Sequence, residues 1–484
     1  MAYDTVINTE EEEEEMLLAD GEPVSPTGQY FNSSVLSISV LAIFESDIAI
    51  DDSPTMWTLE NVFLPIHPRF SSIMVKDERG VRQWKRVSVN LADHVNVPVF
   101  PAGLQTYDEQ TRDYISHIAL GHFPATRPLW DLHIIKYPTK QAAGTIVFRL
   151  HHALGDGYSL MSALFACVRR ADDPSLPLTY PSSSSSSSSS LGAATCGGWR
   201  CAWRTVPRAL SVCMNTLRDF GWGLLKSNFL EDDRSPLRSA AVGVEFRPVE
   251  ISTISFSLDD IKQIKEKLGG TVNDVIAGII FYGSQLYLRQ AKSTTRGSSK
   301  KNAERMTALI LLNTRLSASY RPLQEMNKPY SSDPWGNNFG FLHVSIPTCS
   351  HWDPLSFVHN AREIIKAKKR SFAVFLIAKM LETIRKLRGA EAAARYIYST
   401  LQNTSMTITN MIGPMEQMII AGHPVKSISF LTVGSPQSLT ISIVSYMGNL
   451  KVTMGSEKGF IDSGLLVSCM KKSFQNILKE ATGK

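Results

Sequence analysis

Apolar and polar residues follow two patterns along this chain. Uninterrupted β-branched and apolar runs, such as residues 145–150, predict buried strands, whereas apolar residues recurring every three or four positions predict helices. The runs predict strands at 35–44, 70–75, 132–137, 145–150, 251–256, 307–312, 339–346, 404–409, 427–433, 439–446 and 450–454. The spacing predicts helices at 57–63, 105–120, from about 157, and at 257–269, 275–288, 354–398 and 462–480. Strands mixed with helices in both halves predict an α/β chain of two layered domains.

Two low-complexity segments mark the predicted domain limits. Glu10–Glu15 is a run of like charge, so residues 1–22 are expected to form a disordered acidic tail. Ser182–Ser190 is an unbroken serine tract with no apolar surface to bury, which predicts a flexible linker. We therefore expect an N-terminal domain at 23–178, a linker and crossover segment at 179–247, and a C-terminal domain at 248–484.

The segment 191–230 combines tryptophans with basic residues. A membrane-spanning helix needs about 20 largely apolar residues. Arg208, Arg218, Asp219 and Lys226 interrupt every window of that length. The pattern fits a segment lying in a membrane interface, and it fits equally a crossover helix packed on the protein.

Composition narrows the class of protein. The chain is 43% hydrophobic and 20% charged, as expected for a globular protein. Its net charge of +5 suits an anionic ligand or a membrane surface, but it is too small to indicate nucleic-acid binding. The six cysteines lack zinc-ligand spacing, which predicts no metal site and a reducing compartment. The acidic N-terminus predicts no secretory signal peptide.

The strongest chemical signal is the heptapeptide His151-His152-Ala153-Leu154-Gly155-Asp156-Gly157. It lies between the strand predicted at 145–150 and a helix that starts near residue 157. A neutral histidine in such a turn can act as a base near pH 7, and Asp156 can orient an imidazole or hold a distant arginine. The alternative is a helix-entry turn capped by Asp156 with two core histidines. The complete pattern favours the functional interpretation.

Other catalytic motifs are missing from the sequence. It contains no Gly-x-Ser-x-Gly, no Walker loop, no Gly-x-Gly-x-x-Gly after a strand and no His-Glu-x-x-His. A histidine base without an obvious protein nucleophile favours direct transfer, in which an acceptor hydroxyl itself attacks an activated acyl group.

At these residues the chain resembles a known family. His151-His152-x-x-x-Asp156-Gly157 is similar to the signature of the acyl-CoA-dependent acyltransferase superfamily. Pro128-Leu129-Trp130, Asn273-Asp274-Val275 and Asn410-Met411-Ile412-Gly413-Pro414 resemble motifs of the wax ester synthase/diacylglycerol acyltransferase family, especially its plant members. The resemblance implies a two-domain chloramphenicol-acetyltransferase-like fold, each half a mixed sheet flanked by helices, with an active-site tunnel between the halves. It also implies acyl-CoA as a co-substrate and no further cofactor.

The resemblance assigns roles to these positions. His152 would be the general base, with His151, Asp156 and Gly157 completing the catalytic motif and Asp156 fixing the loop. Pro128, Leu129 and Trp130 would shape the substrate pocket, with core packing as the alternative. Asn273 and Asp274 would hold the acceptor or the oxyanion, with an ordinary helix cap formed by Thr271 and Asp274 as the alternative.

The expected reaction moves a long-chain acyl group from acyl-CoA to a long-chain alcohol or to diacylglycerol. The rivals are a soluble alcohol acyltransferase for small acceptors, a free-standing condensation domain and a non-catalytic acyl-CoA- or lipid-binding relative. The substrates imply work at a membrane surface, either the cytosolic face of the endoplasmic reticulum or the plasma membrane. Loop 291–305 or Lys366, Lys368, Lys369 and Arg370 could supply cations for the CoA phosphates, but solvated surface charge is the favoured interpretation of either set.

Overall fold

The computed structural model describes residues 22–78, 81–181, 199–294, 305–315, 326, 335–348 and 353–483. The acidic tail before residue 22, the serine tract 182–190 and residues 295–304 of the basic loop lie outside this range. Predictions made for those segments therefore stay predictions.

The described residues contain sixteen strands. In chain order they are β1 (Glu22–Pro23), β2 (Ser39–Ser46), β3 (Ser72–Lys76), β4 (Arg82–Arg86), β5 (Val95–Asn96), β6 (Trp130–Ile135), β7 (Gly144–His151), β8 (Val168–Arg170), β9 (Val249–Ser257), β10 (Thr307–Asn313), β11 (Phe339–Ser345), β12 (Met406–Met411), β13 (Met418–Ile420), β14 (His423–Val433), β15 (Leu439–Tyr446) and β16 (Asn449–Glu457).

Two large mixed sheets define two domains. The first has seven strands in the order β5-β6-β7-β2-β14-β13-β8, and the second has six in the order β11-β10-β12-β15-β16-β9. A small third sheet, β1-β4-β3, lies beside the first domain's helical turns. The central strands β7 and β15 are buried along their whole length, which explains why their sequences are nearly continuous apolar runs.

The two domains are interlocked by late strands. β14 pairs antiparallel with β2, from Val433 opposite Ser39 to Val425 opposite Ser46. β13 joins β14 to β8. Residues 418–433 therefore belong to the first sheet, although a division of the sequence at residue 248 assigns them to the second domain.

The helices cover both sheets. They are α1 (Pro26–Phe31), α2 (Asp52–Thr58), α3 (Leu64–Ile66), α4 (Asp108–Ala119), α5 (Gly157–Ala166), α6 (Trp199–Asn228), α7 (Leu258–Leu268), α8 (Val272–Thr294), α9 (Pro354–Lys369), α10 (Ala373–Arg388), α11 (Ala390–Gln402) and α12 (Ser463–Thr482). A π-helical segment, Leu59–Phe63, connects α2 to α3. α8 is buried between α9 and α12, and its apolar residues form the centre of the second core.

The single helical region predicted at 354–398 is three helices. α9 ends at a turn around Arg370, and Gly389, with φ of 84°, separates α10 from α11. A positive φ favours glycine at that position, so the chain can change direction there without a steric penalty.

The aromatic and basic segment predicted at 191–230 contains a long helix, α6. Its second half packs on α9, α10 and α11, and Asp219 pairs with Lys368 at 2.6 Å. Lys226 is buried and pairs with Asp232. Within the described residues, no helix is long and apolar enough to cross a membrane. One side of this half therefore packs on the protein, as the crossover-helix alternative predicts, and the membrane-interface alternative stays a prediction.

Candidate active site

The position of the histidine loop, residues 151–157, is set by the elements on either side of it. β7 ends at His151 and α5 begins at Gly157. Asp156 is the N-cap of α5, because its Oδ1 accepts a hydrogen bond from the Ser159 backbone N–H at 3.0 Å. A capped helix start after a buried strand holds both histidines between the two domains.

His151 has both ring nitrogens engaged. Its Nδ1 accepts from the backbone N–H of Ala153 at 3.1 Å, and its Nε2 lies 3.2 Å from Ser37 Oγ. Burial and the neighbouring His152 and Arg149 lower the pKa of His151 to about 3. This histidine is therefore a neutral packing residue that ties the end of β7 to the start of β2.

His152 has a different hydrogen-bond pattern. Its Nδ1 lies 2.9 Å from Asn337 Oδ1, and Asn337 Nδ2 donates to the backbone carbonyl of His152 at 2.9 Å. An amide oxygen can only accept, so Nδ1 carries the proton and Nε2 carries the lone pair. No described residue forms a hydrogen bond with Nε2. His152 thus presents one basic nitrogen, whose tautomer is fixed by the second domain.

The surroundings of His152 keep it neutral. The residue is 5% exposed, and its ring packs against Phe31 at 4.8 Å and Phe339 at 5.5 Å between ring centroids. Burial lowers its pKa below the usual value, while Asp156 and the bond to Asn337 oppose that shift. A neutral imidazole with a free lone pair is the form that a general base needs near pH 7.

Asp156 does not bond to the imidazole. Its Oδ2 lies 2.6 Å from an Arg315 guanidinium nitrogen, and it accepts from the backbone N–H of Asn338 at 2.8 Å. The side chains of Asp156 and Arg315 are 5% and 1% exposed. Arg315 also donates to Ser159 Oγ and to the carbonyl of Gly336, at 3.0 and 2.8 Å. The carboxylate therefore anchors the histidine loop to the second domain.

The predicted pocket residues Pro128, Leu129 and Trp130 support the loop from behind. Trp130 is 1% exposed, donates from Nε1 to the carbonyl of Phe70 at 2.8 Å and stacks on His94 at 4.2 Å. The Leu129 carbonyl accepts from the backbone N–H of His151 at 2.9 Å. These are the contacts of the core-packing alternative, and a substrate-binding role for the three residues stays a prediction.

Asn273 and Asp274 lie at the start of α8. Thr271 and Asp274 form the reciprocal cap of the alternative interpretation, with N–H to oxygen distances of 2.8 and 3.2 Å. Asn273 is exposed and accepts from Asn410 Nδ2 at 2.6 Å, so two separate motifs meet there. A side chain at Gly157 would contact Met411, the neighbour of Asn410, at 3.3 Å. The helix start thus lies near the histidine loop, but no hydrogen bond joins Asn273 or Asp274 to it among the described residues.

The basic set proposed for the CoA phosphates divides in two. Lys368 is engaged with Asp219, whereas Lys366, Lys369 and Arg370 are exposed at the end of α9. In the part of the chain that the structure describes, no cluster of histidine, cysteine or carboxylate side chains could hold a metal ion.

Sequence reasoning missed the residues of the second domain that complete the site. Asn337, Phe339 and Arg315 are 185, 187 and 163 positions beyond His152 in the chain. The available signals were Trp335-Gly336-Asn337-Asn338 before a strand and an arginine after the strand at 307–312. Neither signal shows that these residues contact the histidine loop, because the contacts depend on how the two domains pack together.

Solved structures share this two-domain architecture. A wax ester synthase/diacylglycerol acyltransferase from Marinobacter aquaeolei VT8 superposes with a TM-score of 0.59 at 16% identity, covering 95% of this chain and 99% of that one. The starter condensation domain of rhizomide synthetase, solved with C8-CoA and Leu-SNAC, gives a TM-score of 0.53 at 11% identity, covering 95% and 94%. Together with the His151-His152-x-x-x-Asp156-Gly157 motif, the fold places the chain in the acyl-CoA-dependent acyltransferase class.

Sequence comparisons specify the family. The wax ester synthase/diacylglycerol acyltransferase catalytic domain matches residues 41–276, and the WS/DGAT C-terminal domain matches residues 335–478. Wax ester synthase/diacylglycerol acyltransferase 4 of Arabidopsis thaliana is 30% identical over 461 residues, covering 93% of this chain and 87% of that protein. Number 6 of the same plant is 30% identical over 503 residues, covering 98% and 96%. The chain belongs to the wax ester synthase/diacylglycerol acyltransferase family and is an acyltransferase.

Proposed function

We propose that this protein transfers a long-chain acyl group from acyl-CoA to the hydroxyl of a long-chain alcohol or of diacylglycerol, with His152 as the general base. The observation that carries the proposal is the state of His152. It is a neutral imidazole between the domains, with Nδ1–H held by Asn337 and the Nε2 lone pair free of bonds to the described residues.

The reaction follows from that state of the ring. Nε2 takes the proton of the acceptor hydroxyl while the oxygen attacks the thioester carbonyl carbon and forms a tetrahedral oxyanion. The oxyanion collapses, the carbon–sulfur bond breaks, and Nε2 returns the proton to the CoA thiolate. The ester and CoA leave, and His152 is neutral again. Since burial lowers the pKa of His152, the imidazolium formed in the first step is a ready proton donor in the second.

Asn337 and Asp156 act on this reaction through position. Asn337 keeps the proton on Nδ1 and thereby directs the lone pair of Nε2 away from the second domain's backbone. Asp156 and Arg315 hold the loop that carries the ring. The aromatic rings of Phe31 and Phe339 exclude water from the base.

The acceptors proposed here reside in membranes, so we also place the enzyme at a membrane surface, on the cytosolic face of the endoplasmic reticulum. Fractionation of cells that express the full chain tests this location, with carbonate extraction separating peripheral from integral association. Recovery of all the protein in the soluble fraction would contradict it.

A product assay tests the reaction. Purified full-length protein is given labelled palmitoyl-CoA together with hexadecanol and diacylglycerol in competition, and the labelled lipids are separated. We expect wax ester, triacylglycerol or both, and neither product with His152→Ala. A preference for water-soluble alcohols would instead identify a small-acceptor acyltransferase, and binding of palmitoyl-CoA without turnover would identify a non-catalytic relative.

A further inference from the structure

Two neighbouring helices of the second domain expose large apolar side chains. We call this set the outer face: Leu210, Met214, Leu217 and Leu225 on α6, and Phe372 and Phe375 at the start of α10. Each of the six is between 46% and 66% exposed. Apolar patches of this kind are uncommon on soluble monomers and mark surfaces that contact something else.

Helical geometry brings the members of the outer face together. With 3.6 residues per turn, positions 210, 214, 217 and 225 fall on one side of α6. The opposite side of α6 is buried against the protein, where Thr216 Oγ1 accepts from the backbone N–H of Phe372 at 3.1 Å. Further along, Gly223 lies against Ile377 of α10. The two helices therefore pack against each other, and both expose large apolar residues.

Positive charge borders this apolar surface. Lys366, Lys369 and Arg370 are exposed at the end of α9, just before Phe372, and Arg218 is exposed on α6. Asp219 is engaged with Lys368 and Glu382 with Lys379 and Lys386, which leaves Glu363 of α9 as an exposed carboxylate near the four cations. Among the described residues, none of the four bordering cations has a carboxylate partner. The outer face is thus apolar at its centre and cationic at its edge.

We propose that the outer face docks on the surface of a bilayer containing anionic lipid. An apolar helix face inserts at the boundary between headgroups and acyl chains, while lysine and arginine at its edge contact anionic headgroups. A second copy of the chain fits poorly, because face-to-face contact would bring two cationic borders together. The docking itself is inferred from this surface alone. The idea that docking delivers membrane-borne acceptors to His152 rests on the proposed function.

Vesicle flotation of the full-length protein tests the docking. The vesicles are phosphatidylcholine alone, or equal parts of phosphatidylcholine and phosphatidylserine. We expect binding to the anionic vesicles that weakens with added salt. The double variant Leu217→Ser/Phe375→Ser should lower binding on the order of 100-fold, because it removes two large apolar contacts. Lys369→Gln/Arg370→Gln should lower it about 25-fold, at roughly fivefold for each charge.

A matched control separates this surface from general hydrophobicity. Val99 and Val242 are 89% and 84% exposed and lie outside the outer face. Val99→Ser/Val242→Ser should bind like the wild type. Unchanged binding of Leu217→Ser/Phe375→Ser, or failure of the wild type to bind anionic vesicles, would overturn the proposal. So would concentration-dependent self-association that this double variant abolishes without any vesicle binding, since a second copy would then cover the face.

Activity in detergent distinguishes the two proposals. Leu217→Ser/Phe375→Ser should form ester from palmitoyl-CoA and dissolved hexadecanol at the wild-type rate, and lose activity only when the alcohol is presented in anionic vesicles. Suppose that the double variant loses vesicle binding but neither it nor the wild type makes ester in detergent. That result would support the docking proposal and contradict the proposed reaction.

Discussion

The two sides of the candidate site are built in different ways. The histidine loop, residues 151–157, is one continuous stretch between a strand and a helix, and local rules place it. The facing side consists of Arg315 and residues 336–339, which reach the loop only through the packing of the second domain. The first domain supplies the base. The second supplies Asn337, which fixes the tautomer of the base, and Arg315, which anchors the loop that carries it. The base and the residue that fixes its tautomer therefore come from different domains.

The same contrast separates two adjacent histidines. His151 bonds within the first domain through both ring nitrogens, whereas His152 bonds across to Asn337 through one. Residue type and burial are the same for both. Only the partner across the domain boundary makes one of them available for chemistry.

The largest expected effect comes from replacing each of the two neighbouring histidines in turn. His152→Ala should lower the rate of ester formation by roughly 100- to 10,000-fold, the contribution of general acid–base catalysis. His151→Ala should instead lower the free energy of unfolding by about 1–3 kcal/mol, because it breaks buried hydrogen bonds. Ester-formation rates and urea unfolding of both variants check this. Near-wild-type activity of His152→Ala would remove it as the base.

The anchor between the domains is next in size. Asp156→Ala leaves the buried Arg315 guanidinium without its carboxylate, and we expect a loss of about 3–5 kcal/mol in the free energy of unfolding. Asp113→Ala breaks an exposed pair with Lys458 and should cost less than about 1 kcal/mol. Urea titration of both variants measures the contrast. Equal losses would mean that the buried pair does not hold the domains together.

Buried histidines in both domains should make the free energy of unfolding depend on pH. Burial lowers the pKa of His151 in the first domain and of His343 in the second to about 3. Below the ordinary value near 6.5 the unfolded chain binds protons that the folded chain does not, so stability is present above that pH and is lost as pH falls. Between pH 6.5 and 5.5 each should cost about 1 kcal/mol, so the two together should cost about 2 kcal/mol. His343→Gln should remove about half of this pH dependence in urea unfolding; an unchanged slope would exclude His343 as a contributor.

Substitutions of Asn337 test directly whether the tautomer of His152 affects the reaction. Asn337→Ala removes the acceptor of Nδ1–H and should lower kcat/KM about tenfold. Asn337→Asp places a carboxylate beside the ring, which raises the pKa of His152 and moves the acidic limb of the pH–rate profile to higher pH. A role limited to packing would leave the position of that limb unchanged.

The smallest effect concerns the wild type. Since burial lowers the pKa of His152 below 6.5, the base is still mostly neutral at that pH. We expect kcat/KM at pH 6.5 to be a larger share of its value at pH 7.5 than the half or so that an ordinary imidazole would give. A midpoint at or above 6.5 would contradict the burial of the free ring.

Local rules predicted the elements whose causes are local. The strand at 145–150, the turn after it and the helix predicted at 257–269, whose start is capped where Ser257 accepts from the Asp260 N–H, all follow from short-range chemistry. β8 and β13 were missed because strands of three residues have no pattern of their own. Asn337 was missed because an asparagine after a glycine in a turn looks the same whether or not a histidine faces it.

The insertion of β13 and β14 into the first sheet affects how the protein is made. While the ribosome has released only the first few hundred residues, β2 has β7 on one side and an open edge on the other. An edge of that length can pair with other chains, so the nascent polypeptide is vulnerable to aggregation until residues 418–433 emerge. The first domain therefore cannot complete its sheet before the second half of the chain has been synthesised. Expression of the first half alone should yield insoluble protein.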